Sequence, residues 1–367
     1  MKSTIPEKFK RDTNLDLLRI VSMLLIVLIH SIDHSGVLEA AENSSPAMYF
    51  YVRFTYALCM VCVNCYVLLS GYYLVTSKFK FQKLIVLWME TVFYALTLRI
   101  IFILFGERPF SIVSLVSCFF PFLTGRYWFI TIYVGMYLAF PFLNILIHAM
   151  DRKTHTALNL CLFLLFSLWN SIHPAIAGMN SGGGWGLAWF VVLYMLAAWF
   201  RLYYKPSRKP GSFFLLFLLI PLLIASAQLL FRTLGIGIFQ SILANWFKYN
   251  SAPVYFMTLC LFVAFLNVRI KDSISARIIS VISPLTFGVY LIHAQADVSP
   301  WLWDTLNMPA RMNSIFFPVE QLLIVFGIFA ICIVIDYLRK ISVGRLENCS
   351  LIKYLSEILT NRLSTLI

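Results

Sequence analysis

The chain is short of charge. Only 12% of its 367 residues are Asp, Glu, Lys or Arg, about half the share in an ordinary globular domain, while 60% are hydrophobic and the mean hydropathy is +0.83. That deficit excludes disorder and most soluble folds. Strand-like alternation is also missing: apolar stretches run unbroken for about twenty residues, the length of helix that crosses a hydrocarbon core, which argues against a β-barrel. The N-terminus shows no short apolar region followed by a small-residue cleavage site, so the first apolar segment reads as a retained span. No inverted repeat of the kind seen in many secondary transporters is visible. Eight cysteines include Cys59, Cys62 and Cys65 at C-x2-C-x2-C spacing. No fourth ligand follows them locally, and this spacing inside a helix merely lines small side chains along one side, so no metal site is expected.

What is present is a set of ten apolar segments, at about 14–33, 50–75, 84–105, 127–148, 156–173, 185–204, 213–234, 252–268, 278–297 and 316–338. The fold class expected is therefore an all-α integral membrane protein, a bundle of about ten transmembrane helices. A further stretch, 111–124, is too short to cross and contains Pro121; it lies at the surface or dips in partway. Acidic residues are fewer than basic ones, 16 against 29, for a net charge of +13. With the N-terminus inside, 21 of the 29 basic residues fall on cytoplasmic segments, so both termini are expected there, and the basic excess reports orientation and not nucleic acid. The expected organisation is a basic N-terminal segment 1–13, a membrane domain 14–338 and a cytoplasmic tail 339–367. The outer loops carry aromatic and polar clusters, Asn180-Ser181-Gly182-Gly183-Gly184-Trp185 and Trp301-Leu302-Trp303-Asp304, which serve either as interfacial anchors or as sugar contacts.

An ionisable side chain at the bilayer centre costs roughly 2.5–3.5 kcal/mol on insertion scales, so each one in a span asks for a function or a partner. The first span holds Asp16, Arg19, His30 and Asp33. Arg19 and His30 are eleven positions apart, close to a whole number of turns, so they share a face about 16 Å apart along the axis. Asp16 lies one turn before Arg19 and can pair with it; Asp33 lies one turn after His30 and can hold its tautomer. The plainer alternative is that Arg19 snorkels to headgroups and His30 sits at the opposite interface.

These residues resemble a known family. Asp16-Leu17-Leu18-Arg19, ten residues and then His30 is similar to the R-x10-H opening of the membrane-bound acyltransferase-3 family. Three later segments agree in order: Val63 to Leu74 with its Ser70-Gly71 pair closing a helix, Phe120-Pro121 through Trp128-Phe129 and Tyr133 to Asn144, and Ile282-Ser283-Pro284 through Gly288-Val289-Tyr290-Leu291-Ile292-His293. The resemblance implies transfer of an acyl group, usually acetyl, from cytoplasmic acyl-coenzyme A to a hydroxyl of a cell-surface polysaccharide, its lipid-linked precursor or another envelope glycan. It implies a multi-pass protein of the bacterial inner membrane, without the C-terminal hydrolase-like domain of some fused members. Acetyl-coenzyme A, or another acyl-coenzyme A, is then the donor co-substrate, and no tightly bound cofactor is expected.

Such a reaction needs a base for the hydroxyl proton, a donor for the oxyanion and a cation for the coenzyme phosphates. His30 suits the first need and can return the proton to the thiolate, with Asp33 beside it; direct transfer and a covalent acyl-imidazole both fit. Arg19 suits phosphate, and Ser70, Lys78 and Lys80 are further candidates for holding the coenzyme, although orientation alone accounts for such basic loops. Trp128, Tyr133, Tyr290 and His293 are candidates for lining the cavity. Glu90 joins them: it stands where similar sequences suggest a neutral amide, and is expected to pair with Arg53 or Arg99. The competing class is a polytopic transporter or flippase of a polysaccharide precursor, against which stand the absence of repeats and the one-face pairing of Arg19 with His30.

Overall fold

A computed structural model describes residues 12–172, 181–207, 209–271, 273–345, 347 and 349–364. Most of the 1–13 segment, His173, Asn180 and Arg208 lie outside these residues. The described chain is helical, with no strand among the described residues. Its principal elements are α1 (Thr13–Asp33), α2 (Pro46–Cys59), α3 (Cys62–Leu74), α4 (Phe81–Leu104), α5 (Ile112–Cys118), α6 (Trp128–Ala149), α7 (Arg152–Ile172), α8 (Leu187–Tyr203), α9 (Pro210–Thr233), α10 (Ala252–Asn267), α11 (Ile274–His293), α12 (Phe317–Ser342) and α13 (Ser350–Ser364). Among the described residues, eight helical stretches are long and apolar enough to cross a membrane, α2 and α3 counting as one; α8 and α10 are shorter apolar helices at the other two expected places. The protein is thus an all-α, multi-pass membrane protein.

Local signals set the helix ends. Ser45 caps α2, accepting from Met48 N at 3.3 Å, with Pro46 in the first turn where its missing N–H costs nothing. Asp151 caps α7, and the bonds from Thr154 hold its carboxyl below the usual range. Two sequence expectations need correction here. The three cysteines do not sit inside one helix: Cys59 ends α2, and Cys62 and Cys65 begin α3 after a turn at Met60-Val61. Ser70-Gly71 does not close its helix, which continues to Leu74. Gly71 instead permits a close crossing, since a Cβ there would stand 2.9 Å from Ala197 Cβ and 3.2 Å from Tyr194 Cα on α8.

The helix α1 lies at the centre, touching α2, α3, α10, α11 and α12. Of its apolar stretch 67% is buried within the protein, against 22% in α12, whose outer face keeps Leu323, Phe326 and Ile331 exposed in the manner of a lipid-facing helix. The 111–124 stretch folds back on α4. From the far end of α4 it returns along that helix, with Cys118 Sγ 3.4 Å from Ala95 O and Trp88 Nε1 donating to Phe119 O at 3.0 Å. Trp88 is sixteen residues back from Leu104, a descent of about 24 Å at the α-helical rise. Arg126 closes this segment, donating to Ser114 O and Oγ and to Ser117 Oγ at 2.6–3.3 Å.

Charges buried away from α1 are paired. Arg99 binds Asp297 at 2.7 Å, Arg53 binds Glu42, and Glu90 pairs with Arg339 at 2.8 Å, not with Arg53 or Arg99 as expected. Arg339 also holds Asp336 (2.7 Å) and Glu347, and Tyr94 donates to Asp336 at 2.8 Å, so this cluster ties α4 to α12. Gly288 makes the space: a Cβ there would fall 2.2 Å from Asp336 Cγ. Gly288→Ala is therefore expected to destabilise the protein by about 1–3 kcal/mol, the cost of overpacking a filled site, read as a lowered unfolding temperature of the detergent-solubilised protein. A Gly288→Ala protein as stable as wild type would remove this account.

Candidate active site

Asp16, Arg19 and His30 on α1 each meet a partner from a distant part of the chain. Asp16 accepts from Ser283 Oγ at 2.7 Å, and Arg19 Nη1 lies 3.2 Å from Ser283 Oγ and 3.4 Å from Asp16 Oδ1. Ser283 is in position because Pro284, having no N–H, interrupts the helical ladder of α11 with one 3-10 turn. The expected pairing of Asp16 with Arg19 is present, with Ser283 bridging it. Arg19 then faces a cavity of about 260 Å³ lined also by Ser70, Tyr133, Tyr66, Phe129 and Phe287.

At the other end of α1, His30 Nδ1 lies 3.0 Å from His293 Nε2, and His293 Nδ1 lies 2.6 Å from Val289 O. A carbonyl can only accept, so His293 carries its proton on Nδ1 and offers the Nε2 lone pair; with both rings neutral, His30 must donate from Nδ1. The Nε2 of His30 is left as the basic atom. His293 is fully buried behind it. The orienting partner expected of Asp33 is thus supplied by His293. Asp33 instead lies 4.0 Å from His34 Nε2, while the His34 ring stacks on His30 at 4.2 Å and its Nδ1 meets Ser299 Oγ at 3.1 Å.

His30 faces a second cavity, of about 310 Å³, whose wall includes Asp33, His34, Trp128, Tyr290, Arg126, Trp185, Lys248 and Tyr249. Trp128 and Trp185 stand 4.3 Å apart between ring centres. Trp185 gets there because Gly182, Gly183 and Gly184 all take left-handed φ angles, of 59°, 72° and 92°, which side-chain-bearing residues rarely adopt. Tyr66, Phe129 and Phe287 line both cavities, with the Tyr66 hydroxyl 2.9 Å from Thr286 Oγ1. The two chambers therefore meet at one aromatic partition, with Arg19 on one side and His30 on the other.

A family model described as an acyltransferase domain matches residues 12–337. The chain belongs to the acyltransferase-3 family. Acyl transfer is accordingly its class of activity. No curated protein and no solved structure matches it. In this acyltransferase-3 protein, the residues singled out from sequence separate into three groups. His30, Asp33, Trp128 and Tyr290 share one chamber, with His293 behind His30, and Arg19, Ser70 and Tyr133 share the other. Lys78, Lys80 and Glu90 line neither: both lysines are exposed, and Glu90 belongs to the Arg339 cluster. Of the two tryptophan clusters only Trp185 reaches a chamber, since Trp303 is buried in the fold and Trp301 packs on Phe102. Sequence reading passed over Tyr66, Phe129, Phe287, Ser283 and Lys248 as site residues. All but Lys248 lie inside quoted motifs, but nothing in their spacing shows that they converge.

The histidine relay has a measurable consequence. His293→Phe should lower the acyl-transfer rate by about 10²-fold, within the range for general acid–base catalysis, with KM nearly unchanged, and His293→Gln, whose amide oxygen can accept from His30, should recover part of it. Equal loss in both variants, through KM, would point to packing alone.

Proposed function

We propose that this protein transfers an acyl group, acetyl in the simplest case, from acyl-coenzyme A to a hydroxyl of an envelope glycan or its lipid-linked precursor at the bacterial cell membrane. The observation supporting this reading is that one helix face presents Arg19 and His30 to two chambers sharing a single partition. Coenzyme A is long and thin, with its phosphates at one end and its thioester at the other. Its nucleotide end suits Arg19, whose planar fork grips phosphate and stays charged in a poorly hydrated site. The pantetheine arm then runs past Tyr66, Phe129 and Phe287, spanning the helical rise from Arg19 to His30, about 16 Å.

The basic loops support one direction. If the basic excess is cytoplasmic, the Arg19 chamber opens toward the coenzyme pool and the His30 chamber toward the glycan. The acceptor hydroxyl gives its proton to His30 Nε2 as its oxygen attacks the thioester carbonyl. Collapse of the tetrahedral adduct breaks the C–S bond, and the imidazolium returns the proton to the departing thiolate. His293 Nε2, accepting from His30 Nδ1, stabilises the charged imidazole while it forms. Tyr290 is the proposed donor to the oxyanion, and Trp128 with Trp185 offers aromatic faces to a sugar ring.

Membranes incubated with labelled acetyl-coenzyme A should incorporate label into glycan. His30→Ala should abolish incorporation while leaving the protein folded in the membrane, and Arg19→Ala should raise KM for the acyl-coenzyme. Full glycan acylation by the His30→Ala protein would remove the base assignment, and glycan transport without incorporation would remove the reading as a whole.

A further inference from the structure

The charge lining the His30 chamber does not balance. Arg126 and Lys248 supply two fixed cations, whereas Asp33 is the one acidic residue among the described lining residues, and it lies against His34. Neither cation takes part in an ion pair among the described residues. Arg126 is held in place by a carbonyl and two hydroxyls, none of which offsets its charge. The Lys248 ammonium has no hydrogen-bond partner among them either. Both differ from Arg53, Arg99 and Arg339, each matched by a carboxylate. Both side chains are half-buried at the chamber wall, so a positive field unopposed by a nearby carboxylate faces the chamber and favours an anion there.

The position of Lys248 is built. Its flanking residues Phe247 and Tyr249 are buried, Phe247 against Tyr56 at 5.6 Å and Tyr249 against Trp185 at 5.6 Å. Its aliphatic stem passes over Gly183, where a Cβ would stand 3.7 Å from both Lys248 Cδ and Trp185 Cδ1. The ammonium is thereby carried along the glycine loop that also delivers Trp185, so one cation and the aromatic pair are set together.

We infer that the acceptor is an acidic glycan, whose anionic group is held by Lys248 and Arg126 while a neighbouring sugar ring stacks on Trp128 and Trp185 and presents its hydroxyl to His30. The inference deepens the acyl-transfer reading and rests on it for the role of His30. The anionic group is an oxyanion, either the carboxylate of a uronic-type sugar or a phosphodiester along the glycan; both offer the same acceptor atoms to an ammonium and a guanidinium. Two cations in a chamber with low-dielectric walls also draw an anionic chain toward it, with a pull that weakens as salt rises.

Two measurements test this on the full chain. In the first, membranes are given labelled acetyl-coenzyme A and the extracted glycan is separated by anion exchange. Label should appear in the acidic fraction. Carbodiimide reduction should move it to the neutral fraction if the group is a carboxylate, and mild hydrofluoric acid should do so if it is a phosphodiester. Lys248→Gln should raise KM for the glycan about tenfold, the worth of one charge-assisted contact, and Lys248→Arg should restore it. In the second, the purified protein is titrated with tetragalacturonate and with neutral cellotetraose while tryptophan fluorescence is followed. The acidic oligomer should bind about tenfold more tightly, and Lys248→Gln should remove the difference. Label in the neutral fraction, or equal binding of the two oligomers, overturns the inference and leaves acyl transfer standing. Charge-selective binding without any incorporation supports the anion site and overturns acyl transfer.

Discussion

The structure depends on how a central helix inside an apolar bundle satisfies its own polar groups. An unpaired polar or charged group in such surroundings costs several kcal/mol at typical scales, and Asn14, Asp16, Arg19, His30 and Ser31 on α1 each meet a group on another helix. Asn14 donates to Phe265 O on α10 at 2.8 Å. Asp16 and Arg19 meet Ser283, and His30 meets His293, both on α11. Ser31 accepts from Gln321 on α12 at 2.9 Å, and Gln321 in turn accepts from Tyr51 on α2 at 2.7 Å. These contacts fix the rotation and depth of α1 against α10, α11 and α12 directly, and against α2 through Gln321, which apolar packing alone, with its tolerance for sliding, would define less sharply.

The same contacts make the site. α11 serves both ends of it because Pro284 breaks the helix at one place and His293 ends it at another. A single element thus sets both the Arg19 cation and the His30 tautomer. The relay from Val289 O through His293 to His30 needs no carboxylate, which suits a base that must remain neutral until it takes a proton. Asp33 and His34, nearer the end of α1, are displaced from that duty and shape the mouth of the chamber instead.

The aromatic residues that make up 16% of the chain have more than one task. Tyr66, Phe129 and Phe287 divide the interior into two chambers. Trp128, Trp185 and Tyr249 form a wall whose order depends on three consecutive glycines. The returning segment that begins with α5 brings Arg126 to the same wall, held by serines in place of carboxylates. A loop-borne tryptophan, a loop-borne lysine and a returning segment therefore complete a chamber whose floor is built from rigid helices, the usual division between scaffold and specificity.

The sequence by itself determined the class and the axis of the protein. Its unbroken apolar runs of about twenty residues require helices, since of the two structures that satisfy every backbone group in lipid the closed barrel needs short alternating strands, and the regular turn of one helix puts Arg19 and His30 on the same side whatever surrounds them. Pairings within one turn were legible too, as with Asp16 and Arg19. Tertiary structure alone decided the partners drawn from far along the chain: His293 for His30, Ser283 for Arg19, Arg339 for Glu90, and Lys248 beside Trp185. Helix periodicity fixes which face a residue occupies but not which helix comes to meet it. That choice is made by packing, by closely spaced glycines such as Gly71 and Gly288, and by the need of each buried charge for a counterpart.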